Sequence, residues 1–132
     1  MINKTTVILI AVLAFSCGEG AYQKAENAQD AGRQFIRASL DGEYQKAKFY
    51  LLQDDENLRL FEKSHADYNQ LDQASKRTNR EATIRPVNIE KVNDSLTKYT
   101  YYHTSNDLDT VTLHVVRTNN EWLVDLKWIK FK

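Results

Sequence analysis

Between about residues 26 and 77, apolar side chains recur every three or four positions, the spacing that gathers them on one face of a helix. Three helices are predicted there. The first runs from about Glu26 to Leu40 and stops at Asp41-Gly42, and the second covers Glu43 to Leu52. The third begins at Asp54-Asp55-Glu56, where carboxylates complement the exposed amides of a helix start, and ends near Arg77.

After Thr83 the period of the pattern falls to two, and Val, Ile, Thr, Tyr and Trp replace the helix formers. This change predicts a sheet. Four strands are expected, at about Ile84 to Val92, Leu96 to His103, Asp109 to Thr118 and Glu121 to Phe131.

The dipeptide Asn119-Asn120 predicts a two-residue hairpin turn, because asparagine tolerates positive φ. Such a turn fixes the register of the last two strands. The face predicted to form the core pairs Val115 with Val124, Leu113 with Leu126 and Val111 with Trp128. The other face is mixed and pairs Val116 with Leu123, His114 with Asp125 and Thr112 with Lys127.

Helices followed by an antiparallel meander predict an α+β domain, with the N-terminal helices packed on one face of a curved four-stranded sheet. Two stretches of sequence also look familiar, Ala31 to Ala47 with its Leu40-Asp-Gly42-Glu-Tyr44 pattern, and Val111 to Val124 with Asn119-Asn120-Glu-Trp122. They resemble small bacterial lipoproteins of unknown function that carry the cystatin-like roll of the nuclear transport factor 2-like superfamily. The resemblance covers nearly all of residues 26–132 and implies the fold rather than an activity.

The length of 132 residues with 42% hydrophobic side chains allows one core and one ordinary domain. The 18 basic and 18 acidic residues cancel, so there is no overall field that would favour nucleic acid. The single cysteine cannot form an internal disulfide, and stability is expected to come from packing alone.

The first residues have the three parts of a secretory signal, with Lys4 near the start, an apolar run from Thr5 to Phe15, and small residues before Cys17. The run is too short to span a bilayer, which takes about 20 residues. The segment Leu13-Ala14-Phe15-Ser16-Cys17 resembles the lipobox of bacterial lipoproteins, which implies acyl chains such as palmitate on Cys17. The alternative is a secreted protein that is not lipidated, in which the free Cys17 lies near a signal-peptide cleavage site by chance.

The resulting domain organisation has three parts. Residues 1–16 are a lipoprotein signal peptide, residues 17–25 a lipidated N-terminus and tether, and residues 26–132 the roll domain. The expected location is the cell envelope, with the membrane bound through the lipid anchor. The residue after the cysteine is Gly18 and not the aspartate associated with the inner membrane, so by resemblance the outer membrane is favoured.

Enzymes of the resembled superfamily hold a carboxylate or histidine base near tyrosines, between sheet and helices. That resemblance directs attention to a pocket containing Tyr99, Tyr101, His114 and Asp125. A carboxylate opposite a histidine can orient the imidazole for proton transfer, but the same pair is also an ordinary cross-strand contact. The sequence alone is compatible with both interpretations.

Other candidate chemistry has a simpler explanation. His65 falls on the apolar stripe of the third helix, where a hydrogen-bonded histidine at the core edge is expected. The three histidines, at 65, 103 and 114, lack metal-ligand spacing, so no metal and no cofactor is expected. The basic residues between Lys76 and Arg85 suit a helix C-terminus, and no nucleic-acid partner is expected.

The leading hypothesis is therefore a non-catalytic, membrane-anchored envelope lipoprotein that binds a small molecule or an envelope protein through its roll domain. A first alternative is a roll enzyme that uses His114 and Asp125 as an acid-base pair. A second is a module that dimerises through the exposed sheet face. The residues expected at that interface are Val116, Leu123, Tyr102 and Ile129.

Overall fold

The computed structural model describes residues 22–130, in which four α-helices come first and four strands follow them. The α-helices in this part are α1 (Ala28–Asp41), α2 (Tyr44–Phe49), α3 (Asp55–Asn69) and α4 (Gln73–Glu81). The strands are β1 (Ile84–Asn93), β2 (Leu96–His103), β3 (Asn106–Thr118) and β4 (Glu121–Asp125), and a 3-10 turn follows at Leu126–Trp128. The α+β class and the packing of helices on a curved four-stranded sheet are confirmed.

The leader, Cys17 and the last two residues lie outside the described residues, so the predicted signal peptide and lipid anchor stay predictions. Within residues 22–130 none of the helices has the length and hydropathy needed to cross a bilayer. Tyr22 and Gln23 already contact the domain. The ring of Tyr22 lies 5.6 Å from that of Phe49, and the Tyr50 hydroxyl donates to the Gln23 carbonyl at 2.8 Å.

Helix α1 is capped at both ends, by Asn27 before its first residue and by Gly42 after its last. The Asn27 side chain accepts a hydrogen bond from the Asp30 amide at 2.8 Å, which satisfies one free donor of the first turn. At the other end Gly42 adopts a left-handed conformation with φ of 73°, and its amide caps the last turn. The predicted stop at Asp41-Gly42 is confirmed.

We expect Gly42→Ala to lower the free energy of unfolding by about 1–2 kcal/mol, because a side chain disfavours the left-handed region. A methyl group at Gly42 would also lie 2.5 Å from the Tyr68 hydroxyl, so that ring must move. Gly42→Asn is the matched comparison, since asparagine tolerates this backbone while meeting the same ring. Urea unfolding should rank the alanine variant below the asparagine variant, and the opposite order would contradict the conformational explanation.

The single helix predicted from Asp54 to about Arg77 is two helices in the structure, and that prediction was wrong. The chain breaks after Asn69 because Asp72 starts a new helix, its carboxylate accepting from the Ser75 amide at 2.7 Å. Helix α4 has no buried residue of its own. It is held instead by Arg37 of α1, whose guanidinium donates to the carbonyl oxygens of Asn79, Arg80 and Ala82 at 3.0, 3.1 and 2.7 Å.

The four strands lie in the order β1-β2-β3-β4, and each neighbouring pair is antiparallel. Asn119 and Asn120 both have positive φ, 49° and 60°, so the predicted two-residue turn is confirmed. The register follows from this turn. Val115 pairs with Val124, Val116 with Leu123 and His114 with Asp125, all as predicted.

The predicted fourth strand is too long, because β4 ends at Asp125 rather than near Phe131. The next residues form the 3-10 turn, so the predicted pairings of Leu126, Lys127 and Trp128 with β3 were wrong. The physical reason is competition for backbone donors. The Leu126 amide donates to the Asn57 side chain at 2.7 Å and the Lys127 amide to Asp125 at 3.1 Å. Trp128, expected in the core, is 63% exposed.

The core lies between the helices and the inner face of the sheet, the face on which Leu113, Val115 and Val124 are fully buried. Gly32 of α1 sits directly over Tyr99, and a β-carbon there would touch the tyrosine ring at 3.4 Å. The segment after α2 covers the outer edge of β4. The Leu52 amide donates to the Val124 carbonyl at 2.9 Å, and the Val124 amide donates to the Tyr50 carbonyl at 2.8 Å.

Candidate functional site

A cleft of about 410 Å³ opens between α1, α3, the inner face of β2 and β3, and the 3-10 turn. Its volume falls in the range of small-molecule sites, which span roughly 300–1,000 Å³. The walls and floor are mostly apolar, from Phe35, Leu60, Phe61, Tyr101, Val111, Leu113, Leu126 and Ile129. The polar side chains belong to Ser39, Ser64, Asn106, Asp109, Thr110 and Lys130.

Two helices supply the aromatic wall of this cleft. Phe35 of α1 and Phe61 of α3 are both buried, and their ring centroids lie 6.3 Å apart. Tyr44 of α2 packs behind Phe61 at 5.1 Å. Each ring of this wall therefore packs against a ring on a different helix, a contact that stabilises its position.

Tyr101 of β2 lines the floor of the cleft with only 9% of its surface exposed. Among residues 22–130 its hydroxyl has no hydrogen-bond partner. Burial, with a smaller effect from neighbouring Tyr99, raises the pKa of Tyr101 far above its usual value, so the hydroxyl stays protonated. A protonated hydroxyl at the base of an apolar cleft can donate to an acceptor on a bound molecule.

Tyr99, the second predicted pocket tyrosine, lies one step along the same face of the strand but does not reach the cleft. It is fully buried beneath α1, with its ring 5.9 Å from that of Tyr101. Its hydroxyl is the one buried side-chain polar atom of the described residues without a partner. Burial raises the pKa of Tyr99 as well, so both hydroxyls are neutral.

The other two predicted pocket residues, His114 and Asp125, pair in register but do not line the cleft. The imidazole of His114 stacks on the exposed Trp128, with the ring centroids 5.4 Å apart and an interplanar angle of 15°. Burial, together with the charge of Lys98, lowers the pKa of His114, and the opposing effect of Asp125 is smaller.

Asp125 is engaged elsewhere, and no hydrogen bond joins it to His114. Its Oδ1 accepts from the Asn57 side-chain amide and from the Lys127 amide, both at 3.1 Å. The Lys127 ammonium lies 3.7 Å away. The Asp125 carboxylate therefore accepts hydrogen bonds from groups around the last residue of β4. It does not orient the His114 imidazole, as an acid-base pair requires.

Asn57 is the residue of this region that sequence reasoning missed. It is completely buried in the first turn of α3, and it both donates to Asp125 and accepts from the Leu126 amide. The spacing Asp54-x-x-Asn57 indicates a helix start, because the Asp54 carboxylate accepts from the Asn57 amide. Nothing in that local pattern points to a bond with a residue nearly 70 positions later.

Within residues 22–130 no helix packs on the outer face of the sheet, which bears two residues of the predicted dimer interface, Val116 and Leu123. They lie side by side across three strands with Leu96, which was not part of that prediction, and all three are half-buried. Ile129 differs from the prediction, since it packs against the core and lines the cleft. Dimerisation through this face stays a prediction, which sedimentation of the Cys17→Ser protein would test.

His65 of α3 lies where its position on the apolar stripe predicted. It is half-buried, its ring centroid lies 4.3 Å from that of Tyr44, and its Nε2 is 3.2 Å from the Asn69 side-chain nitrogen. These contacts account for His65 as a histidine at the edge of the core.

In comparisons with known proteins, no family model, no curated protein and no solved structure matches the chain.

Proposed function

We propose that this protein is a non-catalytic envelope lipoprotein, anchored through lipid on Cys17, whose domain binds a small amphipathic molecule in the cleft above Tyr101. The observation that supports this proposal is the composition of the cleft. The cleft combines an apolar wall made by two helices with the protonated hydroxyl of Tyr101 at its base, the arrangement that orients a largely apolar guest with one polar group.

Binding is favoured over catalysis by the arrangement of the titratable groups. His114 and Asp125 are each engaged with other partners and lie away from the cleft. The lowered pKa of His114 also makes its imidazole a weaker base and leaves little of the protonated form that would act as the acid near neutral pH. The hydroxyl groups that do line the cleft, such as those of Ser39 and Ser64, have no histidine among the lining residues to activate them.

We expect Val111→Trp to weaken binding of an apolar fluorescent probe, N-phenyl-1-naphthylamine, by about tenfold or more, because the indole occupies space in the cleft. Val116→Trp is the matched control. It lies on the same strand and is equally half-buried, but on the outer face. Probe fluorescence is measured by direct excitation of the probe, so that the new tryptophan does not contribute.

Saturable binding that Val111→Trp reduces and Val116→Trp leaves unchanged would support the cleft as the site. Equal loss in both variants would place the probe elsewhere, and the absence of saturable binding to the unmodified protein would contradict the proposal. Tyr101→Phe refines the test, because it removes only the hydroxyl. Its expected effect is a several-fold loss for probes that carry a hydrogen-bond acceptor.

A further inference from the structure

We propose that one surface of the domain, formed by α2 and Tyr22, rests on the lipid headgroups of the membrane. This surface, called the α2 patch, consists of Tyr22, Gln45, Lys46, Lys48 and Phe49. The inference rests on the proposed function, since it requires the lipid on Cys17. It adds an orientation, and with it a second binding surface for phospholipid headgroups.

The α2 patch exists because one side of α2 is turned to the core and the other is not. Ala47 is 1% exposed and faces inward. Positions two residues before and after it, Gln45 and Phe49, therefore project to the opposite side, about 200° around the helix axis. Phe49 is half-buried, because one side of its ring packs against the core and Tyr50, with the Tyr50 ring centroid 5.0 Å away. The Tyr22 ring lies beside it, with its centroid 5.6 Å from that of Phe49. The result is an aromatic pair at the surface.

Helix α2 also carries two half-buried lysines, one on each side of Ala47 in the sequence. Lys46 and Lys48 form no ion pair within residues 22–130, whereas nearby Lys24 is held by Glu121 at 3.3 Å. The Lys48 ammonium lies 5.6 Å from the centroid of the Tyr44 ring. Aromatic rings with adjacent ammonium groups match the chemistry of a bilayer surface, where rings sit at headgroup level and ammonium groups meet phosphates.

The length of the linking chain limits how far this patch can lie from the anchor. Five residue steps separate Cys17 from Tyr22, which span at most about 18 Å when fully extended. Tyr22 is itself part of the α2 patch. The opposite edge of the sheet, β1, lies three strand spacings beyond β4, a further distance of about 14 Å. Of the two ends of the sheet, the one that bears the α2 patch is therefore the nearer to the anchor.

Lysine acetylation read by mass spectrometry tests this orientation. The acylated protein is reconstituted into vesicles of phosphatidylethanolamine and phosphatidylglycerol, and the Cys17→Ser protein in solution is the reference. We expect Lys46 and Lys48 to react about fivefold more slowly on vesicles than in the reference, because headgroups cover them. Lys91, on β1 and 69% exposed, is the internal control and should react at the same rate in both.

If Lys46 and Lys48 react at the same rate on vesicles as in the reference, as Lys91 does, in protein whose Cys17 carries acyl mass, the orientation is overturned and the anchor is left intact. Absence of acyl mass on Cys17 would overturn both. A variant pair provides a second readout. Phe49→Ser should abolish the protection of Lys46, whereas Trp128→Ser, which removes an exposed ring outside the α2 patch, should preserve it. Protection that survives Phe49→Ser would also contradict the proposal.

Discussion

Replacing Asn57 with alanine is expected to lower the free energy of unfolding by about 3 kcal/mol, a large share of the stability of a small domain. The side chain is completely buried and links α3 to the end of β4 through two hydrogen bonds. Truncation removes both bonds. It also leaves the buried Leu126 amide without its partner and removes one of the two hydrogen bonds that Asp125 Oδ1 accepts.

The matched control for this substitution is Asn69→Ala, at the exposed end of the same helix, which should cost less than about 0.5 kcal/mol. Asn57→Asp should be as damaging as the alanine variant, since it places a second carboxylate against Asp125. Urea unfolding followed by circular dichroism measures all three. A loss at Asn57 no larger than that at Asn69 would show that the buried bonds contribute little.

Cys17→Ser is expected to shift the protein completely from the membrane fraction to the soluble fraction and to abolish labelling with an alkyne fatty acid. Each buried methylene of an acyl chain contributes about 0.8 kcal/mol, so several chains hold the protein in effect permanently and their loss releases it. Ser16→Ala is the control, because a small residue is kept before the cysteine. Membrane pelleting by the serine variant in the absence of label would contradict a lipid anchor.

Local rules were sufficient to predict much of the architecture. The alternation after Thr83 and the pair Asn119-Asn120 determine the sheet and its last hairpin, because strand period and turn conformation depend on neighbouring residues. The same applies to the end of α1, where Gly42 supplies the left-handed cap.

Long-range competition for hydrogen bonds could not be predicted in the same way. From Leu126 onward the residues suit a strand, yet Asn57 takes the amide of Leu126 and the strand ends. Arg37 reaches the carbonyls of α4 across more than 40 positions, which no periodicity encodes. The cleft depends on the same kind of information, since Tyr101 reaches it and Tyr99 does not, although both lie on one face of one strand.

The hydrogen bonds from Arg37 to the C-terminal end of helix α4 determine how readily this helix detaches from the domain. The helix buries no residue, so its detachment exposes little apolar surface, and the Arg37 guanidinium provides the principal side-chain bonds that oppose it. Segments of this kind open independently of the global unfolding of a domain. Amide hydrogens of residues 73–81 should therefore exchange with solvent by a local, low-energy opening, while those of β3 exchange only when the whole domain unfolds.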